Sequence, residues 1–490
     1  MKENKPIRIG WGTCDITPDR PVMLSGQLYS RVSRYVHDPI SATALVLDNG
    51  DTHAIMISCD MVGIMEGLAV RIRSALDGFE GIKGDHVSIS ATHTHNSSRF
   101  IGNARRSNLN KFLGEDICEP LEVPDDLLDG EEATEFFLSR LIPMVKDAWR
   151  NRAPGGIASA QDYAAIGFNR RPVYDMGEGR EESRMYGSCA DSNFLRFEGG
   201  SDHAIDMVYT FDMERNLTGV LVDVPSPSQV FELHYFISAD YWKYARDSIR
   251  SRVGSNVHIL SLCGAAGDQN PLDLVRLSKT NVEALREWNA QAGEVFRNFD
   301  MAEEAMDIGE RIAEAVARGL RKARNRIQTR PDLRHKSFSM ALPLRLVTEE
   351  DYRQSHATIE TFKARFSPEN RMNSSDQVSM FNDMGVVQRW ELQQETTTYS
   401  FQGNLTRVGN AVIITNPFEL FVEYGQRIRA RCKAPQVINV QLTNGVGGYV
   451  PTWAAIKGGS YSSKPASTNI DADGADQLVE TYIHMIDEMF

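Results

Sequence analysis

The sequence predicts an α/β fold, with mixed central β-sheets flanked by helices. Three observations predict it. Short apolar runs with strand-like alternation recur along the whole chain. Between them lie longer segments whose apolar residues fall at three- and four-residue spacing. No repeat, low-complexity tract or linker breaks this alternation. One domain over residues 1–490 is therefore expected rather than two.

Composition narrows the function classes. A hydrophobic content of 41% with 24% charged residues is that of a globular protein. A net charge of -13 argues against nucleic acid or anionic membrane as the main partner. A small-molecule substrate is expected, and a homo-oligomer is compatible with it. The six cysteines form no CxxC pair and read as reduced, mostly buried thiols. No apolar run reaches the roughly 18 residues of a membrane span. The N-terminus "MKENKPIRIGWG" lacks a signal-peptide core. The expectation is a cytoplasmic protein, although a chain with its leader trimmed would read the same.

The elements follow in order. "ATALVLDNGDTHAIMISCD" is two β-rich runs around Asn49-Gly50, a hairpin signal. An acidic loop then runs into an amphipathic helix carrying Phe137, Leu141 and Val145. "LTGVLVDVPSPSQVF" is a strand ending in a Pro/Ser turn, and "SADYWKYARDSIRSRV" a helix with Ser238 as its expected N-cap. "NVHILSLCGAAGDQNP" is a buried strand entering a glycine-rich turn. Residues 301–327 read as a long helix with Ile308, Ile312, Val316 and Leu320 on its packing face. "FSMALPLRLV" alternates as a strand, and residues 349–395 are polar and helical. "TRVGNAVIITNPFELFVEYGQRIRARC" reads as hairpin, turn and helix, and "GADQLVETYIHMIDEMF" closes the chain as a helix.

Chemistry collects where strands end. "VSISATHTHNSSRF" delivers His93 and His95, two positions apart and so on one side of an extended chain. The pair can hold a metal together, or one ring can bind it while the other orients or shuttles a proton. A polar strand end with neither role is the plain alternative. His234, Glu419, Tyr449, Asp268 and Asn270 also lie at strand-to-loop boundaries. Singly, Glu419 reads as a charge at a helix start and Asp268 as a turn residue. Asn169, Arg170 and Arg171 in "GFNRRPVYD" can clamp a carboxylate or phosphate, or tie loops together.

Taken in order, these stretches resemble the zinc-bearing N-terminal catalytic domain of the neutral (non-lysosomal) ceramidase family. The resemblance runs through "GWGTCDITP", "ATHTH", His234 with "SADYWKYAR", "GAAGDQNP", "NPFELFVEYGQRIR" and "GGYV". It implies a Zn²⁺ held by His93, His234, Glu419 and Tyr449, with Mn²⁺ or Fe²⁺ compatible with the same donors. His95 then falls behind the ligands or beside the bound water, and Tyr461, twelve positions after Tyr449, on the oxyanion.

Departures from the family pattern shape the expected function. Asn270 stands where ceramidases carry the proposed nucleophilic serine, and an amide is a poor nucleophile. Cys263, in the same motif, is a second candidate whose default role is packing. "NSSR" replaces Ser-Gly-Pro-Gly after the histidines and puts Arg99 near the metal. The family's C-terminal immunoglobulin-like domain is not expected here. These features imply a zinc-dependent hydrolase of a polar N-acyl, ester or sugar-derived substrate rather than ceramide. Metal-bound water would attack, with His95 or Asp268 as general base and Tyr461 and Asn270 stabilising negative charge. Arg99, Asn169, Arg170 and Arg171 would bind substrate. The rivals are a metal-dependent lyase acting on sugar acids and a non-catalytic metal-binding homologue.

Overall fold

A computed structural model describes residues 4–101, 112–279 and 301–490. Its framework is three mixed sheets, each covered by helices. The first orders strands Val87–Ala91, His53–Cys59, Ser41–Asp48, Arg8–Asp15 and Ala153–Pro154. The second orders His258–Cys263, Leu217–Val224, Ala204–Phe211 and Gly156–Tyr163. The third orders Leu333–Pro343, Thr398–Val408, Ala411–Thr415 and Gln436–Val440.

One unit occurs in all three sheets. A strand runs through a helix to a second strand lying parallel to the first. Helix Glu66–Leu76 joins His53–Cys59 to Val87–Ala91. Helix Tyr241–Val253 joins Leu217–Val224 to His258–Cys263. Helix Val422–Arg431 joins Ala411–Thr415 to Gln436–Val440. A parallel pair needs such a crossover, because a tight turn cannot return the chain to its starting end.

Inner faces of the three sheets meet in one apolar core. Leu45, Leu47 and Met56 come from the first, Leu221, Leu260 and Leu262 from the second, and Val408, Ile413 and Ile438 from the third. Outer faces pack against helices. Phe137, Leu141 and Val145 cover the first sheet. Ile308, Ile312, Val316 and Leu320 of helix Met301–Ala323 cover the second, as their spacing predicts. Leu478, Val479 and Tyr482 of helix Ala472–Asp487 cover the third. Burial on both faces explains why Ser41–Asp48 and His53–Cys59 read as continuous apolar runs.

The Asn49-Gly50 hairpin forms where predicted, joining Ser41–Asp48 to His53–Cys59. The polar stretch at 349–395 divides into Glu349–Lys363, Ser374–Ser379 and Phe381–Glu395. The N-cap of helix Tyr241–Val253 is Asp240, not Ser238. Asp240 has φ 56° and ψ -146°, and its carboxylate accepts from Val230, Phe231 and Tyr241 N–H. Ser238 supports the cap by accepting from Asp240 N–H at 2.9 Å.

Three imidazoles pack against one another at tilted angles, 43° and 38°, where the first and third sheets meet. Ring centroids are 4.6 Å apart for His53 and His86 and 4.4 Å for His86 and His335. Fixed donors occupy one nitrogen of each outer ring. Lys83 N–H donates to His53 Nε2, and the Asn404 amide donates to His335 Nε2. Burial, then neighbouring histidine charge, pushes His53 down to about 4 and His335 to about 3, from 6.5. Arg152 and Lys83 near His53, and Arg73 near His335, act in the same direction, whereas Asp48 opposes it at His53. Below pH 6.5 the unfolded chain takes up these protons first, so stability is full above 6.5 and falls as pH drops toward 4. Thermal unfolding should show this loss, up to about 1.4 kcal/mol per pH unit for each histidine. His335→Gln should flatten the slope; an unchanged slope would refute the assignment.

Candidate active site

The carboxyl ends of the three parallel pairs open into loops that meet. Asn444 exchanges backbone and side-chain hydrogen bonds with Ile89, at 2.9 and 3.0 Å. Gln441 N–H donates to the Cys263 carbonyl at 3.1 Å. The loop at 441–450 thus touches the strand ends of both other sheets.

The small polar residues around the histidines tie the first loop down. Thr92 donates to Asp60, which forms a buried bidentate pair with Arg246 at 2.7 Å. Thr94 donates to the Ser238 carbonyl, and the Asn96 amide donates to the carbonyls of His234 and Phe236. The strand ends at Ala91, so His93 and His95 lie beyond it rather than on it. His93 is held at φ 64°, a left-handed conformation costing a β-carbon residue roughly 1–3 kcal/mol.

His93 and Glu419 form the centre. His93 Nδ1 donates to the Val62 carbonyl at 2.5 Å, which turns Nε2 toward Glu419 Oε2 at 3.4 Å. Burial pushes the Glu419 carboxyl up, but hydrogen bonding and charge from His93, with Arg170 and Tyr449, hold it below its ordinary value. Glu419 lies in the two-residue strand Glu419–Leu420, ahead of the helix rather than at its start. That strand runs parallel to Tyr449–Val450 with Glu419 opposite Tyr449, which brings carboxylate and phenol together.

Tyr449 and Tyr461 pack edge to face at 5.5 Å. Burial, then the Glu419 charge, pushes Tyr449 well above 10 and Tyr461 to about 12, so both hydroxyls stay protonated donors. Arg170, only 4% exposed, reaches the same point. Its Nη2 donates to Tyr449 Oη at 3.2 Å and to the Gly267 carbonyl at 3.0 Å, and its Nη1 to Tyr186 Oη at 3.2 Å.

His95 is held neutral. Burial, then the charges of His93, Arg31 and Arg170, push it well below 6.5. Its Nε2 lies 3.4 Å from His93 Nε2 and accepts from the Gln229 amide at 2.6 Å. Gln229 Oε1 in turn accepts from Asn270 Nδ2 at 2.9 Å.

Several expected site residues do other work. The His234 ring stacks on Phe236 at 4.8 Å and does not join His93 and Glu419. Asp268, expected as a base, spends both oxygens on structure, accepting from Val422 N–H and the Asn169 amide at 3.0 and 2.9 Å. Asn270, expected on the oxyanion, is saturated: its amide also donates to Tyr186 Oη, and its carbonyl accepts from Leu272 N–H. Arg171, expected on substrate, is fully buried and binds Glu198, Ser462 and the Gly459 carbonyl. Asn169 holds Asp268. Arg99 is exposed and donates to Ser25 Oγ. Cys263, buried between Ser226 and Gln441, has its thiol pushed up by burial, against a nucleophilic role.

Gln229, Tyr186 and Arg31 escaped the sequence reading. Gln229 carries the signal that marked the others, a polar residue just after a strand. Tyr186 and Arg31 sit in loops with no such mark. Arg31 is 1% exposed and pins the carbonyls of Ser25, His95 and His234.

A zinc ion is implied by the resemblance, and the donor set does not fit it. The His234 ring stacks on Phe236, and no group of three His, Cys, Asp or Glu able to hold a metal occurs among the described residues.

Two substitutions check these assignments. Arg171→Met leaves Glu198 buried without its partner and should cost roughly 3–5 kcal/mol in denaturant unfolding; a loss of substrate affinity alone would restore the substrate role. At Gly26, φ is 108° and an added β-carbon would lie 2.4 Å from His95 Cγ. Gly26→Ala should therefore destabilise by about 1–3 kcal/mol and shift the His95 ring resonances.

No protein-family model and no curated protein matches this sequence. Solved structures do. A neutral ceramidase from Pseudomonas aeruginosa aligns with a TM-score of 0.67 at 16% identity, over 99% of this chain and 75% of that one. A ceramidase complexed with C2 aligns with a TM-score of 0.65 at 14% identity, over the same shares. The chain therefore has the fold of the neutral ceramidases.

Proposed function

We propose that this chain is a hydrolase of an ester, amide or glycosidic bond in a polar small molecule, working as one catalytic unit in the cytoplasm. The observation that carries this reading is the buried contact of 3.4 Å between His93 Nε2 and Glu419 Oε2, ringed by Arg170, Tyr449 and Tyr461. The fold neighbours are ceramidases by name, and hydrolysis is the chemistry that likeness suggests. No helix among the described residues is long and apolar enough to cross a membrane.

For a carbonyl substrate, the steps follow from the residues present. Glu419, held ionised, takes a proton from a water molecule as its oxygen forms a bond to the carbonyl carbon. The developing oxyanion accepts hydrogen bonds from Arg170 and Tyr461. The carbon–heteroatom bond then breaks, and the leaving nitrogen or oxygen takes a proton relayed through His93. Water is the attacking group because Asn270 cannot attack and Cys263 is buried.

A second reading is favoured by one observation. A guanidinium flanked by two phenols also suits β-elimination from a sugar acid, with the arginine on the carboxylate and a tyrosine moving the proton.

A panel of N-acyl compounds, esters and sugar derivatives, scored by mass spectrometry, separates the readings. Hydrolysis adds the mass of water across the products; elimination gives an unsaturated product absorbing in the ultraviolet. His93→Ala and Glu419→Gln should each lower kcat/KM by at least about 100-fold. Turnover unaffected by both changes would sink the hydrolase reading.

A further inference from the structure

We infer that this site works without a resident divalent metal, with the buried Arg170 guanidinium as its fixed positive charge. The inference rests on the hydrolase reading and concerns how the same site is charged.

A tetrahedral zinc needs four converging donors with free lone pairs. Of the four that the resemblance implies, His234 stacks on Phe236 and joins no group of three His, Cys, Asp or Glu able to hold a metal among the described residues. The nearest replacement is His95, whose Nε2 lone pair is taken by the Gln229 N–H at 2.6 Å. Gln229 cannot turn over to release it, because its Oε1 must accept from Asn270 Nδ2. Nor can Asn270 turn over, because its Oδ1 accepts from Leu272 N–H at 2.9 Å. Two amides anchored on one backbone N–H thus keep His95 facing a donor. They also hold it in the tautomer protonated at Nδ1, toward Glu232 Oε2 at 3.9 Å.

The third side is closed by charge. The Tyr449 oxygen faces Arg170 Nη2 at 3.2 Å, and a dication on that oxygen would sit beside a cation that does not deprotonate. The hydrogen bonds of Arg170 run to neutral acceptors, a carbonyl and two phenols, and its buried Nε has no partner among the described residues. Its charge is therefore left to act on Glu419 and on a substrate oxygen, the electrostatic duty a metal would otherwise perform.

The full-length chain, produced with zinc in the medium and dialysed, is assayed for metal by plasma mass spectrometry and titrated with zinc chloride by calorimetry. Zinc well below one per chain is expected, with no binding heat that His93→Ala or Glu419→Gln abolishes. Zinc that persists in both variants lies elsewhere and supports the inference. One tightly held zinc, lost from both variants while their circular dichroism is unchanged, overturns it. Should His93→Ala fail to fold, the near-isosteric Glu419→Gln carries the comparison.

Arg170→Ala tests the charge itself. Activity should fall and partly return with added guanidinium but not with zinc; rescue by zinc alone overturns the inference. A chelator that stops hydrolysis overturns it while the hydrolase reading stands. A metal-free chain inactive on every substrate does the reverse.

Discussion

Everything in this protein hangs on three sheets sharing one apolar core. Leucines, isoleucines and valines from each sheet interlock at its centre, and each fully buried side chain contributes roughly 1.5–3 kcal/mol. With the opposite faces under helices, no sheet can turn without exposing one side. The parallel pairs are thereby fixed in direction, and their carboxyl ends meet. Strain at the meeting point, such as the left-handed His93, is small beside the burial that enforces it.

The loops at that point are buried although they are polar, and this is tolerable because their groups are paired. Asp60 with Arg246 and Arg171 with Glu198 bring four interior charges together as two neutral pairs. Arg31 finds three carbonyls instead of a carboxylate. Such pairings add little net stability, since desolvation offsets much of the attraction. Their effect is positional. They hold Glu419, His93 and two phenols in one arrangement, the preorganisation that the proposed hydrolysis calls for.

Much of the fold was legible because its signals are local. Alternation, helical stripes and the Asn49-Gly50 turn act within a few residues, and the strands and helices form where those signals lie. The cap at Asp240 was missed because its unusual backbone geometry is imposed by the loop it holds. At the site, His93, Glu419 and Tyr449 could be read from their positions just past strands, where chain direction is already set. His234 could not, since it follows a turn-rich stretch with no period to say where the ring points. Adjacent Arg170 and Arg171 face opposite ways, one to the phenols and one to Glu198, and only the packed neighbours decide which does which. Asn270 is a similar case: its amide could be recognised as unfit for attack, but its bond to Gln229 joins residues 41 positions apart.

The strand–helix–strand unit, present three times, separates architecture from chemistry. Apolar interlocking sets the directions of the corners, while a few polar side chains at each corner set reactivity. Such a body can be refitted one corner at a time, because a change of side chain at one corner leaves the other two and the joint between them untouched. That independence is consistent with a fold shared with a ceramidase at 16% identity.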